Sequence, residues 1–347
     1  MTSFADQLVD HLMTVTSREI RPRDIVTASA LRNAVTVAMA MGGSTNVMLH
    51  SVELARCAGI DFWRDVISQR EFNDLSRRLP VIVNMRPFGV YSMVDVDAAG
   101  GLQTVVAELL RAGLLDGTTM TCTGETLADQ VQRLEPPRPD DTVVYSVAKP
   151  FKETGGLRLL SGNLAPDGGA ILKLAGVERG IVGGVFTGRA RVFDGQPALL
   201  DAIDHHPDSF QDNDMVVIRY EGPRGAPGMP EMLDPTSRIT ALCRERDITI
   251  ALMTDARFSG GSVGLVIGHV APEAYVGGPI ALVEDGDEIV VDLNTDTITC
   301  AQLDDETTLR TRKAAWTPTA RPVTSRMLLR MRATARPALE GAGMAPS

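Results

Sequence analysis

AILKLAGVERGIVGGVFTGRARVF, residues 170–193, is built of short apolar runs broken by glycine, without the spacing that would make one face of a helix apolar. Runs such as AILKLAG, IVGGVF and ARVF, rich in aliphatic and β-branched residues and bounded by Gly, read as strands joined by tight turns. The same texture extends outward to LRLL (157–160), MVVIRY (215–220) and ITIAL (248–252). ALVEDGDEIVVDLNTDTITC (281–300) reads as strand, turn, strand, turn, strand, with Asp285-Gly286 and Asn294-Thr295 at the bends. One helix, PTSRITALCRER (235–246), interrupts these strands, and an Arg-rich helical tail follows. Residues 156–305 are therefore expected to form a β-barrel or sandwich, and 306–347 a helical tail.

Upstream the pattern changes. SALRNAVTVAMAM (29–41) and NVMLHSVELARCA (46–58) carry apolar residues at helical spacing, and Gly42-Gly43-Ser44-Thr45-Asn46 breaks and then caps between them. PVIVNM (80–85) reads as a buried strand, GLQTVVAELLRAGLL (101–115) as a helix, TMTCTG (119–124) as a strand and GETLADQVQRL (124–134) as a helix. Strands alternating with helices predict an α/β layer over 1–155, incomplete because it starts without an initial strand. The Pro-rich Glu135–Asp141 segment belongs to no regular element.

The chain has 347 residues, 34 Lys+Arg against 44 Asp+Glu, and a formal net charge of −10. That balance excludes nucleic acid and anionic membrane as main partners, since both favour a basic face. No apolar stretch reaches the ~18 residues of a membrane span. MTSFADQLVDHL has no basic region followed by an apolar core, so no secretory signal is expected and the chain is read as cytoplasmic. Cys57, Cys122, Cys243 and Cys300 are far apart, form no CxxC, and are read as buried small hydrophobes.

Two segments could carry chemistry. In YEGPRGAPGMPEM (220–232) a rigid Gly/Pro loop after a strand presents Glu231, either as an oxygen ligand for Mg²⁺ or as a helix-entry carboxylate. In MTDARFSGGS (253–262) a Gly-flanked turn presents Ser259, either as a metal-activated base or simply as a turn residue. No His or Asp stands at nucleophile-elbow spacing, which argues against a hydrolase triad. His50 and His269 are read as interior histidines or cleft residues, His205-His206 as part of a solvated acidic loop, and Asn163 as a ligand contact or a turn former.

GGSTN (42–46), LSGNLAPDG (160–168), VIRYEGPRGAPGMPEML (217–233), LMTDARFSGGS (252–262) and GHVAPEAYVGGPIALVEDGD (268–287) occur in this order. Together they resemble the dihydroxy-acid dehydratase / phosphogluconate dehydratase family, over about residues 15–318. The resemblance implies a swivelling β/β/α type of barrel domain. It also implies a hydro-lyase that removes water from a 2,3-dihydroxy acid to give a 2-keto acid, with Mg²⁺ and an iron–sulfur cluster as cofactors. By motif match Ser259 is the expected base and Glu231 an expected Mg²⁺ ligand, while Ser44, Thr45, Asn46, Arg257, Gly260 and Gly261 are expected to line the cleft.

The chain also departs from the family pattern. The family's cluster cysteines, further acidic ligands and a carbamylated lysine lie upstream of GGSTN, which this chain reaches at residue 42. None of its cysteines matches a cluster position. The expectation is a C-terminal catalytic subunit of a split enzyme, inactive without a second polypeptide that carries the cluster. The assembly would be a hetero-oligomer, such as a dimer of heterodimers. The alternatives are a non-catalytic binding or regulatory paralogue and a gene fragment. Gly261, where sugar-acid members tend to have Thr, points to a branched-chain type of substrate, whereas Glu125 and Ala256 depart from that type, so a sugar acid remains the alternative.

Overall fold

The computed structural model describes residues 2–175, 179–319 and 321–345. The chain divides into two compact units, one of Met1–Gly43 with Ser51–Gly155, the other of Ser44–His50 with Gly156–Ser347. The Ser44–His50 segment, sequence-remote from the barrel, thus groups with it.

In the second unit the strands are β1 (Leu157–Gly162), β2 (Ala165–Ala175), β3 (Ile181–Val182), β4 (Val185–Asp194), β5 (Asp214–Arg219), β6 (Ile250–Thr254), β7 (Gly264–Gly268), β8 (Glu288–Asp292) and β9 (Thr297–Cys300). Their order is β3-β4-β5-β6-β7-β2-β1-β9-β8, and β8 also pairs with β4, from Val185↔Asp292 to Arg189↔Glu288. That last pairing closes an eight-strand mixed barrel, with β3 as a hairpin extension of β4. Closure leaves no open edge among the eight strands.

Strands β4, β5, β6 and β7 run parallel. Parallel neighbours need crossovers. The helix Gln196–His205 serves β4 to β5, and the helix Leu233–Arg246 serves β5 to β6. Period-two alternation then splits the strands. Met215, Val217, Ala251, Met253, Leu265 and Ile267 point into the interior cluster. Their neighbours Val216, Ile218, Leu252 and Val266 pack outward with Leu199, Ile239 and Leu242 of the two helices. Burial on both faces is why MVVIR and IALMT read as continuous apolar runs.

Some local readings are corrected. GLVIG is a strand (β7), and the start of the acidic stretch read as a solvated loop, residues 201–205, ends the helix Gln196–His205. IVGGVF and ARVF merge into the β3–β4 hairpin, and the first run of 281–300 is a 3₁₀ turn (Pro279–Leu282) followed by extended chain rather than a strand.

The first unit is helical, with Thr2–Ser17, Ala28–Ala40, Gln69–Arg78, Gly101–Arg111 and Leu127–Leu134 as its longer helices. The Thr27 hydroxyl caps Ala28–Ala40 by accepting from the Ala30 N–H at 3.2 Å, and Ser68 with Glu71 forms a capping box on Gln69–Arg78. The two strands expected here are not ladders. PVIVNM is extended but makes isolated bridges, Val81↔Lys152 and Val83↔Val144, while TMTCTG is a turn bridged at Met120↔Thr126. Among the described residues no helix is long and apolar enough to cross a membrane.

Candidate active site

The loops that follow β5, β6 and β7 start at the carboxyl ends of three neighbouring parallel strands, the end where such sheets present ligand-binding loops. Asp255, the first residue after β6, ties them together. Its buried carboxylate accepts the Tyr220 N–H at 3.1 Å, the Glu221 N–H at 3.0 Å and the Ala274 N–H at 2.9 Å. Burial nevertheless pushes it up to about 6. The loop after β5 is so closely packed that a Cβ at Gly222 would lie 2.0 Å from Glu273 Oε2. Tyr220, Met229 and His269 all take the left-handed region, at φ 64°, 49° and 59°. Strain of this kind, held by surrounding bonds, is typical of functional loops.

Glu231 lies just before the helix Leu233–Arg246 and forms a parallel bridge with Arg257. Its described partners are Asn46, whose Nδ2 donates to Oε1, and the Arg257 guanidinium at 3.9 Å. Neither is an amide of the helix's first turn, so the helix-entry reading finds no bond to support it. Arg257 itself donates from Nε to the Met229 carbonyl at 2.6 Å and thereby fixes the Met229–Glu231 segment. The same Asn46 Nδ2 reaches the Phe258 carbonyl at 3.4 Å. One amide therefore joins Glu231 to the residue preceding Ser259.

Ser259 is half-buried, and its Oγ accepts the Gly261 N–H at 3.2 Å. A Cβ at Gly260 would stand 3.3 Å from Ser44 Cβ, which places the GGSTN segment against this turn. Ser44, Thr45, Asn46, Glu231, Arg257, Ser259, Gly260 and Gly261 thus belong to one neighbourhood of the barrel unit.

Five buried polar atoms of these motifs have no hydrogen-bond partner: Thr45 Oγ1, Asn46 Oδ1, Glu221 Oε2, Ser262 Oγ and His269 Nε2. Unpaired buried polar groups are costly, and they concentrate where a polar ligand completes the bonding. His269 is held down to about 3 by burial, then by the Arg257 and His50 charges, so it is neutral near pH 7. An orphaned Asn46 oxygen beside the Glu231 carboxylate is an arrangement that suits a hard cation. Among the described residues no group of three His, Cys, Asp or Glu side chains could hold a metal, so these two oxygens make only a partial ligand set.

An iron–sulfur cluster does not fit the cysteines. Cys57 and Cys122 are exposed, correcting their reading as buried, Cys243 is half-buried and Cys300 is buried. Burial, and then Asp287, pushes the Cys300 thiol up to about 11, whereas a cluster ligand must be a thiolate.

Other candidates have structural partners. Asn163 donates to the Cys300 carbonyl and Asp304, each at 2.8 Å, and accepts from the Cys300 N–H at 2.8 Å. Glu125 is forked by Arg133 through two 2.8 Å bonds, which hold its carboxyl below the usual range. His205, itself exposed, ends the helix Gln196–His205 beside Asp201. A cavity of about 220 Å³ opens elsewhere on the barrel unit, lined among others by Arg224, Glu273, Arg336 and Glu340, and contains neither Ser259 nor Glu231. Sequence reading missed Asp255 and Lys173. In the sequence both stand out only as charges at, or inside, otherwise apolar strands, and their bonds emerge only in the fold.

Comparison with known proteins identifies the family of the chain. Residues 142–342 match the C-terminal model of the dihydroxy-acid/6-phosphogluconate dehydratases, and residues 1–130 match the N-terminal model. A dihydroxy-acid dehydratase of Nocardioides sp. is 44% identical over 317 residues, 91% of this chain and 53% of that relative. One from Burkholderia thailandensis is 44% identical over 333 residues, 95% of this chain and 57% of that relative. The chain therefore spans about half the length of the curated relatives it matches. It belongs to the dihydroxy-acid/6-phosphogluconate dehydratase family.

Proposed function

We propose that this chain is the C-terminal catalytic subunit of a split dehydratase that converts a 2,3-dihydroxy carboxylic acid to a 2-keto acid, together with a second polypeptide carrying the iron–sulfur cluster. The observation that carries this reading is the Asn46 amide, which joins Glu231 to the Phe258–Ser259 segment among unpaired polar atoms. Family membership supports the dehydratase reading.

In this reading the Ser259 alkoxide takes the proton from C2 and the C3 hydroxyl leaves as hydroxide. The serine passes that proton on to the hydroxide, so that proton and hydroxide together are the water lost. The remaining enol then gains a proton at C3 and becomes the 2-keto acid. A serine hydroxyl is a weak acid, so the base form needs help. The Gly261 N–H already points at Oγ and favours negative charge there. Bound Mg²⁺ would offset the charge of the substrate carboxylate and the C2 oxygen, with Glu231 and Asn46 as its ligands from this chain. Arg257 keeps the Glu231 segment in register. Thr45, Ser262 and His269 offer polar atoms to the substrate's hydroxyls. Departure of the C3 hydroxyl is assigned to the second polypeptide, since the cysteines here do not suit a cluster. The preference for a branched-chain substrate over a sugar acid rests on the family resemblance at Gly261, where a Cβ would make an ordinary 3.7 Å contact with Ser259 Oγ.

The test is to combine the chain anaerobically with a cluster-bearing polypeptide of the family and follow 2-keto acid formation and C2 proton exchange in heavy water. Both should require both polypeptides. A loaded pair that shows neither turnover nor exchange, yet binds a hydroxy acid, would instead establish the regulatory paralogue.

A further inference from the structure

Lys173 sits in the middle of β2 and is fully buried. A buried ammonium is expensive unless something nearby uses its charge. In register it stands opposite Val266 of β7, so the two share a sheet face. Val266 on that face packs with Ala256, Leu252 and Phe258, all apolar. A lysine is the odd residue there. Its Nζ donates to the carbonyl of Gly260, the residue after Ser259.

The local topology explains why a clamp is useful. Strands β6 and β7 are parallel, yet residues 255–263 join them without a helix. The chain carrying Ser259 is therefore itself the crossover, short and rich in glycine. Phe258 holds one part of it, since a Cβ at Gly268 of β7 would stand 3.4 Å from the Phe258 ring. Beyond Phe258, the turn's own bonds run from the Gly261 N–H to Ser259 Oγ and from the Ser262 N–H to the Ser259 carbonyl, at 3.2 Å each. The Lys173 bond fastens this turn to a different strand.

We propose that Lys173 is a positioning residue for Ser259: its ammonium clamps the Ser259–Gly260–Gly261 turn to β2 and places a buried positive charge next to the serine, favouring the deprotonated oxygen. This rests on the base role given to Ser259 above. Burial lowers Lys173 to about 8, which still leaves it mainly charged near pH 7. The charge acts through a low-dielectric region, where it is felt more strongly than in water.

The test replaces the base with a reporter in the whole chain. In Ser259→Cys, alkylation of that thiol by iodoacetamide is followed against pH, peptide by peptide, by mass spectrometry. With Lys173 intact the thiol should titrate below the ~8.5 of an ordinary cysteine. Adding Lys173→Met, or Lys173→Gln, which keeps a donor but not the charge, should slow alkylation at pH 7 by roughly three- to tenfold and move the profile upward. A thiol titrating at or above the ordinary value with Lys173 present, or a profile unmoved in a folded variant, overturns the proposal. The thiol reports without any dehydration, so failure of the dehydratase reading registers separately, in the reconstituted assay of the unsubstituted chain. In that assay Lys173→Gln should lower kcat about 10- to 100-fold, leave KM unchanged and shift the rising limb to higher pH. Equal loss in kcat and KM with an unmoved limb would reduce Lys173 to a structural role.

Discussion

The two compact units solve the same problem, covering apolar chain, in different ways. The barrel unit pairs β8 with β4 and so satisfies its strands within itself. In the helical unit, extended segments such as Val81–Val83 meet others only at isolated bridges. It also leaves Leu12, Met13, Val90 and Val94 between 61% and 78% exposed. A closed barrel can hold loops at its strand ends rigidly whatever else is bound, whereas bridged segments gain order from whatever covers them. The difference explains why the candidate site's bonds belong to the barrel unit, with Ser44–His50 recruited into it.

The largest expected effect tests whether the barrel unit holds the chemistry. Ser259→Ala should lower turnover of the reconstituted enzyme by roughly 10³-fold or more and abolish C2 proton exchange. Substrate affinity should survive, and stability should change by only about 0.5 kcal/mol, because one oxygen is lost from a half-buried turn. Turnover and exchange near wild-type level would break the assignment and leave Ser259 a turn residue.

Amide hydrogen exchange sharpens the contrast itself. Strands β5 and β6, buried on both sides, should open only with global unfolding. The bridged segments 80–85 and 119–126 should exchange roughly 10²-fold faster and slow when a cluster-bearing polypeptide is added. Equal protection in both units would contradict the comparison. A smaller effect concerns Glu231. Glu231→Gln should weaken Mg²⁺ binding roughly 10- to 100-fold, because a neutral amide attracts a hard cation less, and activity should return in part at high Mg²⁺. An unchanged Mg²⁺ dependence would remove Glu231 from the metal site.

The same contrast explains what could be read in the sequence. Barrel strands such as MVVIRY announced themselves because burial on both faces leaves an unbroken apolar run. β7 did not: its five residues lie between two glycine-rich motifs and look like loop. The helix Gln196–His205 was hidden by its acidic neighbours, although Leu199, Ala202 and Ile203 have helical spacing and Pro197 marks a start. PVIVNM has strand propensity, but propensity cannot supply a ladder partner, and among the described residues it finds only bridges. Glu231 and Ser259 were legible through their loop chemistry and the family motifs. Lys173 and Asp255 were not, because their meaning lies in register and in bonds to residues distant in the chain.

The smallest effect concerns buried carboxylates: exposed ones are held down in both units, as Asp247, Asp292 and Asp305 are in the barrel unit, whereas burial reverses the sign. In the helical unit Glu71 and Asp95 are held below their usual values by helix-capping bonds, and Glu125 by Arg133. In the barrel unit burial raises Asp255, Glu221 and Glu273 instead. Glu273 goes furthest. Burial, and then the neighbouring Asp255, pushes it up to about 8 from 4.5, even though the Arg224 N–H bonds its oxygens at 2.9 and 3.1 Å. Between about pH 6.5 and 8 the folded chain therefore keeps a proton that the unfolded chain has released, so stability must fall as pH rises. The other large shifts act mainly outside this window. His269, lowered from 6.5 to about 3, contributes stability that is lost as pH falls below it, and Lys173, lowered from 10.5 to about 8, acts above it. Cooperative melting should lose a few degrees from pH 6.5 to 8, the effect of one partly titrated group worth at most about 1.4 kcal/mol per pH unit. Glu273→Gln keeps an oxygen for the Arg224 N–H but has no proton to lose, so its profile should no longer fall across the window. His269 and Lys173, which bind fewer protons folded than unfolded, should tilt it slightly upward. A wild-type melting temperature that rises over this range, or a Glu273→Gln profile as steep as wild type, would show that Glu273 is already ionised in the fold and that the barrel's buried carboxylates behave like the exposed caps of the helical unit.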